Sequence, residues 1–165
     1  MRNNPIKYIF LILLTVSLFT PAITLGQNNG TKAVSFSISS DRNVYSPGDT
    51  VLFTGTLNLD EGWHIHANIV EEDYLIPTKL SLDSSQAISL VRINYPQPDK
   101  IKLAFSEQKV LVFSDDFKIN AVCLVSKSAS PGYLTVNFTL AYQACSNDIC
   151  LRPDSVICPV KILVQ

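Results

Sequence analysis

Residues 133–142, YLTVNFTLAY, alternate apolar and polar side chains almost without a break. Leu134, Val136, Phe138, Leu140 and Tyr142 fall on one side, and Thr135, Asn137 and Thr139 on the other. Successive side chains of a β-strand point to opposite faces, so this pattern specifies a strand with one buried face. A second run, SVICPVKILV over 155–164, places Val156, Cys158, Val160, Ile162 and Val164 on one face. Between the two runs lies the stretch QACSNDICLRPD, most naturally read as a hairpin connection. A chain that carries two such strands back to back commits its core to sheets.

The remaining sequence agrees. AVSFSIS alternates Val34, Phe36 and Ile38 against serines and Ala33, and TVLFTGTL follows the turn YSPGD. Further strands are expected over Gly62–Ala67, Thr78–Leu82, Ala87–Tyr95, Val110–Phe113 and Phe117–Val125. Turn residues separate them at Ser46–Asp49, Asp60–Gly62, Pro96–Asp99 and Ser130–Gly132. No long segment has helical period, and no repeat or low-complexity segment interrupts the pattern. The expected fold is all-β, a two-sheet β-sandwich of immunoglobulin-like type.

The N-terminus differs in kind. Arg2 and Lys7 precede the apolar run Tyr8 to Phe19, Pro21 breaks it, and TLG stands before Gln27. That is the layout of a secretory signal peptide, expected over 1–26, with one domain over 27–165. The alternative is an uncleaved anchor, for which the run is short of the roughly 20 residues a spanning helix needs. No cysteine follows the run to accept a lipid. Removing Arg2 and Lys7 from 13 basic residues leaves 11 against 14 acidic ones, a net charge of −3. With no basic stripe, nucleic acid is excluded as a partner. Export places the four cysteines in a periplasmic or extracellular, oxidising compartment, where disulfides persist.

Cys145 and Cys150 stand at the hairpin end with SNDI between them. Opposed residues of antiparallel strands have Cα atoms about 4.5–5.5 Å apart, and a disulfide accepts about 4.4–6.8 Å. The geometry permits a bond or a dithiol. As a staple the pair is weak: the loop-entropy model gives about 2.2 kcal/mol for so short a loop. A bridge between Cys123 and Cys158 would be worth about 3.8 kcal/mol in the same model. Cys123 shares a face with Phe117, Ile119, Ala121 and Val125, and Cys158 also points inward. These two are either bonded across the core or are two buried, inert thiols. Metal binding at the tip lacks ligands, since a structural zinc site needs four. His64 and His66 in GWHIHAN share one strand side, which is a weak hint at copper or zinc and more often describes a packed or solvated face. No cofactor is expected. There is no G-x-S-x-G motif for hydrolysis. Asn29 and Asn137 match the glycosylation pattern, the second in mid-strand. Two functions remain at this level: a carrier working by dithiol–disulfide exchange, or a non-catalytic secreted β-sandwich binding module with a purely structural tip disulfide.

YQACSNDICLRP resembles the active-site hairpin of the N-terminal periplasmic domain of the thiol:disulfide interchange protein DsbD and of the related stand-alone disulfide bond corrector proteins. GWHIHAN, YLIPTKLSL and INYPQP extend the similarity over about Ser35 to Val164. The resemblance implies an immunoglobulin-like redox module. It would accept electrons from a thioredoxin-like domain of a DsbD-type membrane reductase. It would pass them to oxidised periplasmic thiol proteins such as disulfide isomerases or cytochrome c maturation factors. By position, Cys150 matches the cysteine that forms mixed disulfides with partners, and Cys145 its resolving partner. Phe105, within KLAFSEQKVLVF, matches the aromatic of a cap that shields the cysteines until a partner docks. The chain departs from the family in having Leu103 and Ala104 where acidic residues are frequent, with Glu107 nearby, and Arg152 where proline is common.

Overall fold

Strands form where the sequence alternates. The structure, a computed structural model, describes residues 33–104 and 106–165. The expected signal segment, Asn29 and Phe105 lie outside the described residues. In chain order the strands are β1 (Val34–Ser40), β2 (Val44–Tyr45), β3 (Thr50–Leu59), β4 (His64–His66), β5 (Lys79–Leu82) and β6 (Ile88–Asn94). They continue with β7 (Asp99–Lys102), β8 (Lys109–Phe113), β9 (Phe117–Val125), β10 (Gly132–Tyr142), β11 (Ala144–Cys145) and β12 (Asp154–Val164). Among the described residues there is no helix, and so none long and apolar enough to cross a membrane.

Two four-stranded sheets form the sandwich. One has the order β1-β3-β9-β6, the other β2-β12-β10-β5. All their pairings are antiparallel except β2 with β12. The inner faces are the alternating residues of the sequence: Val51, Phe53 and Leu57 on β3, Ile119, Ala121, Cys123 and Val125 on β9, and Val136, Phe138 and Leu140 on β10, all buried. The Phe53 and Phe138 rings meet edge to face with centroids 4.8 Å apart, joining β3 of one sheet to β10 of the other. Gly55 leaves room for a ring on the neighbouring strand: a Cβ there would come within 2.7 Å of Phe36.

A third sheet, β11-β4-β8-β7, was not anticipated by the two-sheet expectation. Its strands are short, β11 having two residues and β4 three, so alternation has too few positions to register. β7 reads DKIK, whose charges suit a solvated edge rather than a core. β4 is introduced by the turn Asp60–Trp63, closed by the Trp63 N–H to Asp60 carbonyl bond of 3.0 Å. Gly62 in that turn has φ +80°, a conformation that favours glycine. This turn consumes the first residues of the strand expected over Gly62–Ala67. The third sheet carries the cysteine pair.

Candidate redox site at the hairpin end

The β10–β12 ladder runs in register from Gly132↔Val164 to Tyr142↔Asp154. Beyond it, Ala144 accepts a bond from Leu151 N–H at 2.8 Å, and Cys145 opposes Cys150. Gln143 therefore faces both Arg152 and Pro153, one residue against two, which is a β-bulge. Gln143 Nε2 donates to the Leu151 carbonyl at 2.9 Å across it. Proline suits this place because it has no N–H to leave unpaired. After the bulge the chain leaves the β10 sheet and pairs with β4, Ala144 against Ile65 and Cys145 against His64.

Cys145 and Cys150 are joined, with S–S 2.02 Å and Cα atoms 4.0 Å apart. The bonds Leu151 N–H to Ala144 O and Ser146 N–H to Ile149 O, both 2.8 Å, flank the pair instead of linking it. It is thus a non-hydrogen-bonded pair, the position where opposed side chains come closest. Ser146 Oγ closes the turn by accepting from the N–H groups of Asp148 (3.3 Å) and Ile149 (3.2 Å). The tip is exposed only in part. Cys150 is exposed, but Cys145 has no accessible surface, because β11 lies within the third sheet.

The group that meets Cys145 is His66. Its Nε2 lies 3.7 Å from Cys145 Sγ. Its Nδ1 lies 3.1 Å from the Ile76 carbonyl. A carbonyl only accepts, so Nδ1 carries the proton and the Nε2 lone pair of the neutral ring faces the sulfur. Burial holds the His66 pKa below its ordinary value. Burial also pushes His64 down, to about 4, with His66 beside it as a smaller cause. His64 Nε2 is buried and has no hydrogen-bond partner among the described residues. The H-x-H pair is therefore a packed face. The His66 ring meets Cys145 of the cysteine strand, while Ile65 joins the main core. The pattern was visible in the sequence, but nothing there indicates contact with a residue 79 positions away.

The region expected to hold the cap meets the tip. The Ala104 N–H donates to the Asn147 carbonyl at 3.3 Å. Leu103 and Ser106 are buried on either side of Phe105. Leu103 packs with Leu75, Val110 and Val112 in a small apolar cluster separate from the main core.

Cys123 and Cys158 are not joined to each other. Cys158 Sγ donates to the Phe36 carbonyl at 3.5 Å and is half-buried, while Cys123 is fully buried on β9. Burial pushes the Cys123 thiol up to about 11. With its folded pKa raised, stability from the neutral thiol is complete below the unfolded value of about 9 and is lost as pH rises through about 11. Iodoacetamide at pH 8 should accordingly leave Cys123 unmodified in the native protein and label it once guanidinium unfolds the chain. Peptide mass spectrometry reads the difference; labelling of native Cys123 at the unfolded rate would contradict its burial.

The family described as thiol:disulfide interchange protein DsbD, N-terminal, matches residues 34–161. Among solved structures, the chain is similar to the N-terminal periplasmic domain of ScsB from Proteus mirabilis, with 14% identity and TM-score 0.53, covering 76% of this chain. The chain spans 45% of that ScsB chain. It is also similar to the DsbD N-terminal domain of Neisseria meningitidis in the reduced form, with 12% identity, TM-score 0.47, and coverage of 81% of this chain and 92% of that one. At these identities the likeness concerns the fold. No curated protein matches the chain.

Proposed function

This chain belongs to the family of DsbD N-terminal domains, and from that membership we propose that it is an exported thiol:disulfide interchange module. Residues 1–26 serve as its export signal and 27–165 as the working domain. Cys145 and Cys150 are its redox pair. The donor is the thioredoxin-like domain of a DsbD-type membrane reductase. The acceptors are oxidised periplasmic thiol proteins, of the disulfide isomerase or cytochrome c maturation class. The observation that carries this reading is the unequal access of the two joined sulfurs: Cys150 faces solvent and Cys145 is sealed against His66.

That asymmetry supports one order of events. A donor thiolate attacks Cys150 Sγ, the reachable sulfur, and the Cys145–Cys150 bond breaks. Cys145 leaves with the bonding pair, takes up a proton, and its S–H points to the His66 Nε2 acceptor. The donor's second thiolate then attacks its own sulfur in the mixed disulfide, and Cys150 departs as a thiolate that takes up the second proton from solvent. Two electrons and two protons now reside on the module, and the donor holds a disulfide. Toward a client the steps reverse: Cys150 attacks, and Cys145 resolves the mixed disulfide by attacking Cys150 Sγ. A shielding role for Phe105 belongs to the same proposal, and the contact of Ala104 with the tip turn supports it.

Equilibration of the mature protein in graded dithiothreitol or glutathione buffers, followed by thiol trapping, tests the reading. The tip disulfide should titrate above the range below about −300 mV that marks structural bonds, and nearer the known exchange proteins. A value below that range would favour the passive binding module, for which the complete burial of Cys145 is the supporting observation.

A further inference from the structure

We infer that the reduced form of the tip is a binding site for a thiophilic d10 cation, held by Cys145 Sγ, Cys150 Sγ and His66 Nε2. The inference rests on the interchange reading, which supplies the dithiol. These three atoms lie within 4.8 Å of one another. Two ligands of one such ion, with bonds of about 2.3 Å to sulfur and about 2.0–2.1 Å to nitrogen, stand about 3.5–3.8 Å apart at tetrahedral to trigonal angles. Cys145 Sγ and His66 Nε2 are 3.7 Å apart already. The imidazole needs no turning: the Ile76 carbonyl holds the Nδ1 proton and fixes the tautomer with the Nε2 lone pair toward the sulfurs. A backbone carbonyl on the far nitrogen is the usual support of a metal-binding histidine.

Cys150 is the ligand that must move. In the disulfide its sulfur is 2.02 Å from Cys145 Sγ, and reduction frees it to swing out while both Cα atoms stay in the hairpin. Two thiolates and one imidazole, with Cys145 and His66 sealed from water and Cys150 exposed, match a three-coordinate cuprous ion. Zinc prefers four ligands and would need a water on the Cys150 side. Binding displaces two thiol protons and transfers no electrons. It also occupies both sulfurs, so a loaded module cannot exchange disulfides.

The test is an anaerobic competition between the reduced protein and a chromophoric cuprous chelator, with a parallel zinc arm using a chromophoric zinc chelator. One equivalent of cuprous ion should bind to the reduced protein and none to the disulfide form. Bound ion should protect Cys150 from iodoacetamide. His66→Leu should weaken binding at least about tenfold while its dithiol count is unchanged. Cys150→Ala, at the exposed end of the hairpin, should abolish the site even if the His66 variant fails to fold. Cys158→Ser should retain it. Stronger binding of zinc than of cuprous ion, relative to the Cys150→Ala control, would keep the site and overturn the preference for copper. If the disulfide is reduced cleanly but the dithiol binds neither ion more tightly than Cys150→Ala, the metal inference falls and the interchange reading stands. If the disulfide yields to no reductant short of unfolding, both fall.

Discussion

Cys145→Ala should capture a thioredoxin-like donor domain as a stable mixed disulfide on Cys150, and Cys150→Ala should capture none. The expectation follows from access, since exchange needs a reachable sulfur and a thiolate to attack it. With Cys145 gone, Cys150 keeps its exposed position at the tip but has no neighbour to resolve the adduct. With Cys150 gone, the remaining thiol has no accessible surface and faces His66. Non-reducing electrophoresis against a thioredoxin-like domain whose second cysteine is replaced, and whose remaining cysteine is activated as a mixed disulfide with a small thiol leaving group, gives an all-or-none comparison. Equal capture by the two variants would mean that the roles are shared, and capture by Cys150→Ala alone would reverse them.

Phe138→Ala should be the most destabilising single truncation in the sandwich, costing about 3–5 kcal/mol. The ring is fully buried and meets Phe53 of the opposite sheet at 4.8 Å, and its strand β10 pairs with both β5 and β12. Removing it leaves a cavity where the sheets join, and the strands on both sides are held in ladders that limit collapse. Domains of this size have about 5–15 kcal/mol in total, so the loss is a large share. Urea unfolding followed by tryptophan fluorescence should show a lower midpoint with an unchanged slope. A loss under about 1 kcal/mol would show that the contact is not central to the core. The same variant should soften the active end, because β10 runs from the sandwich into the strand that carries Cys145.

The long strands were legible because each has enough positions for alternation to register. Phe117–Val125 occupies the residues expected for it, and the two runs beside the cysteines differ from expectation by one residue at their starts. The cysteine pair was legible as a hairpin closure for the same reason. The third sheet was not, because pairings such as Ala144 with Ile65 join short segments far apart in the chain, which no local period records. The burial of Cys145 depended on that sheet and was missed with it. His66 was noticed for its spacing from His64, yet its proximity to Cys145 arises from the β4–β11 pairing. The bulge at Gln143 has one local sign, Pro153, on which no expectation was built.

The sealed position of Cys123 bears on how the chain matures. If the chain is exported as proposed, it meets oxidant before it has folded, and four sulfurs can then be tied in several wrong ways. Closure between near neighbours is favoured kinetically, and six residues of hairpin bring the right two together first. Once β9 docks, Cys123 is withdrawn from any later shuffling. Burial therefore confines any mispairing of Cys123 to the time before β9 docks.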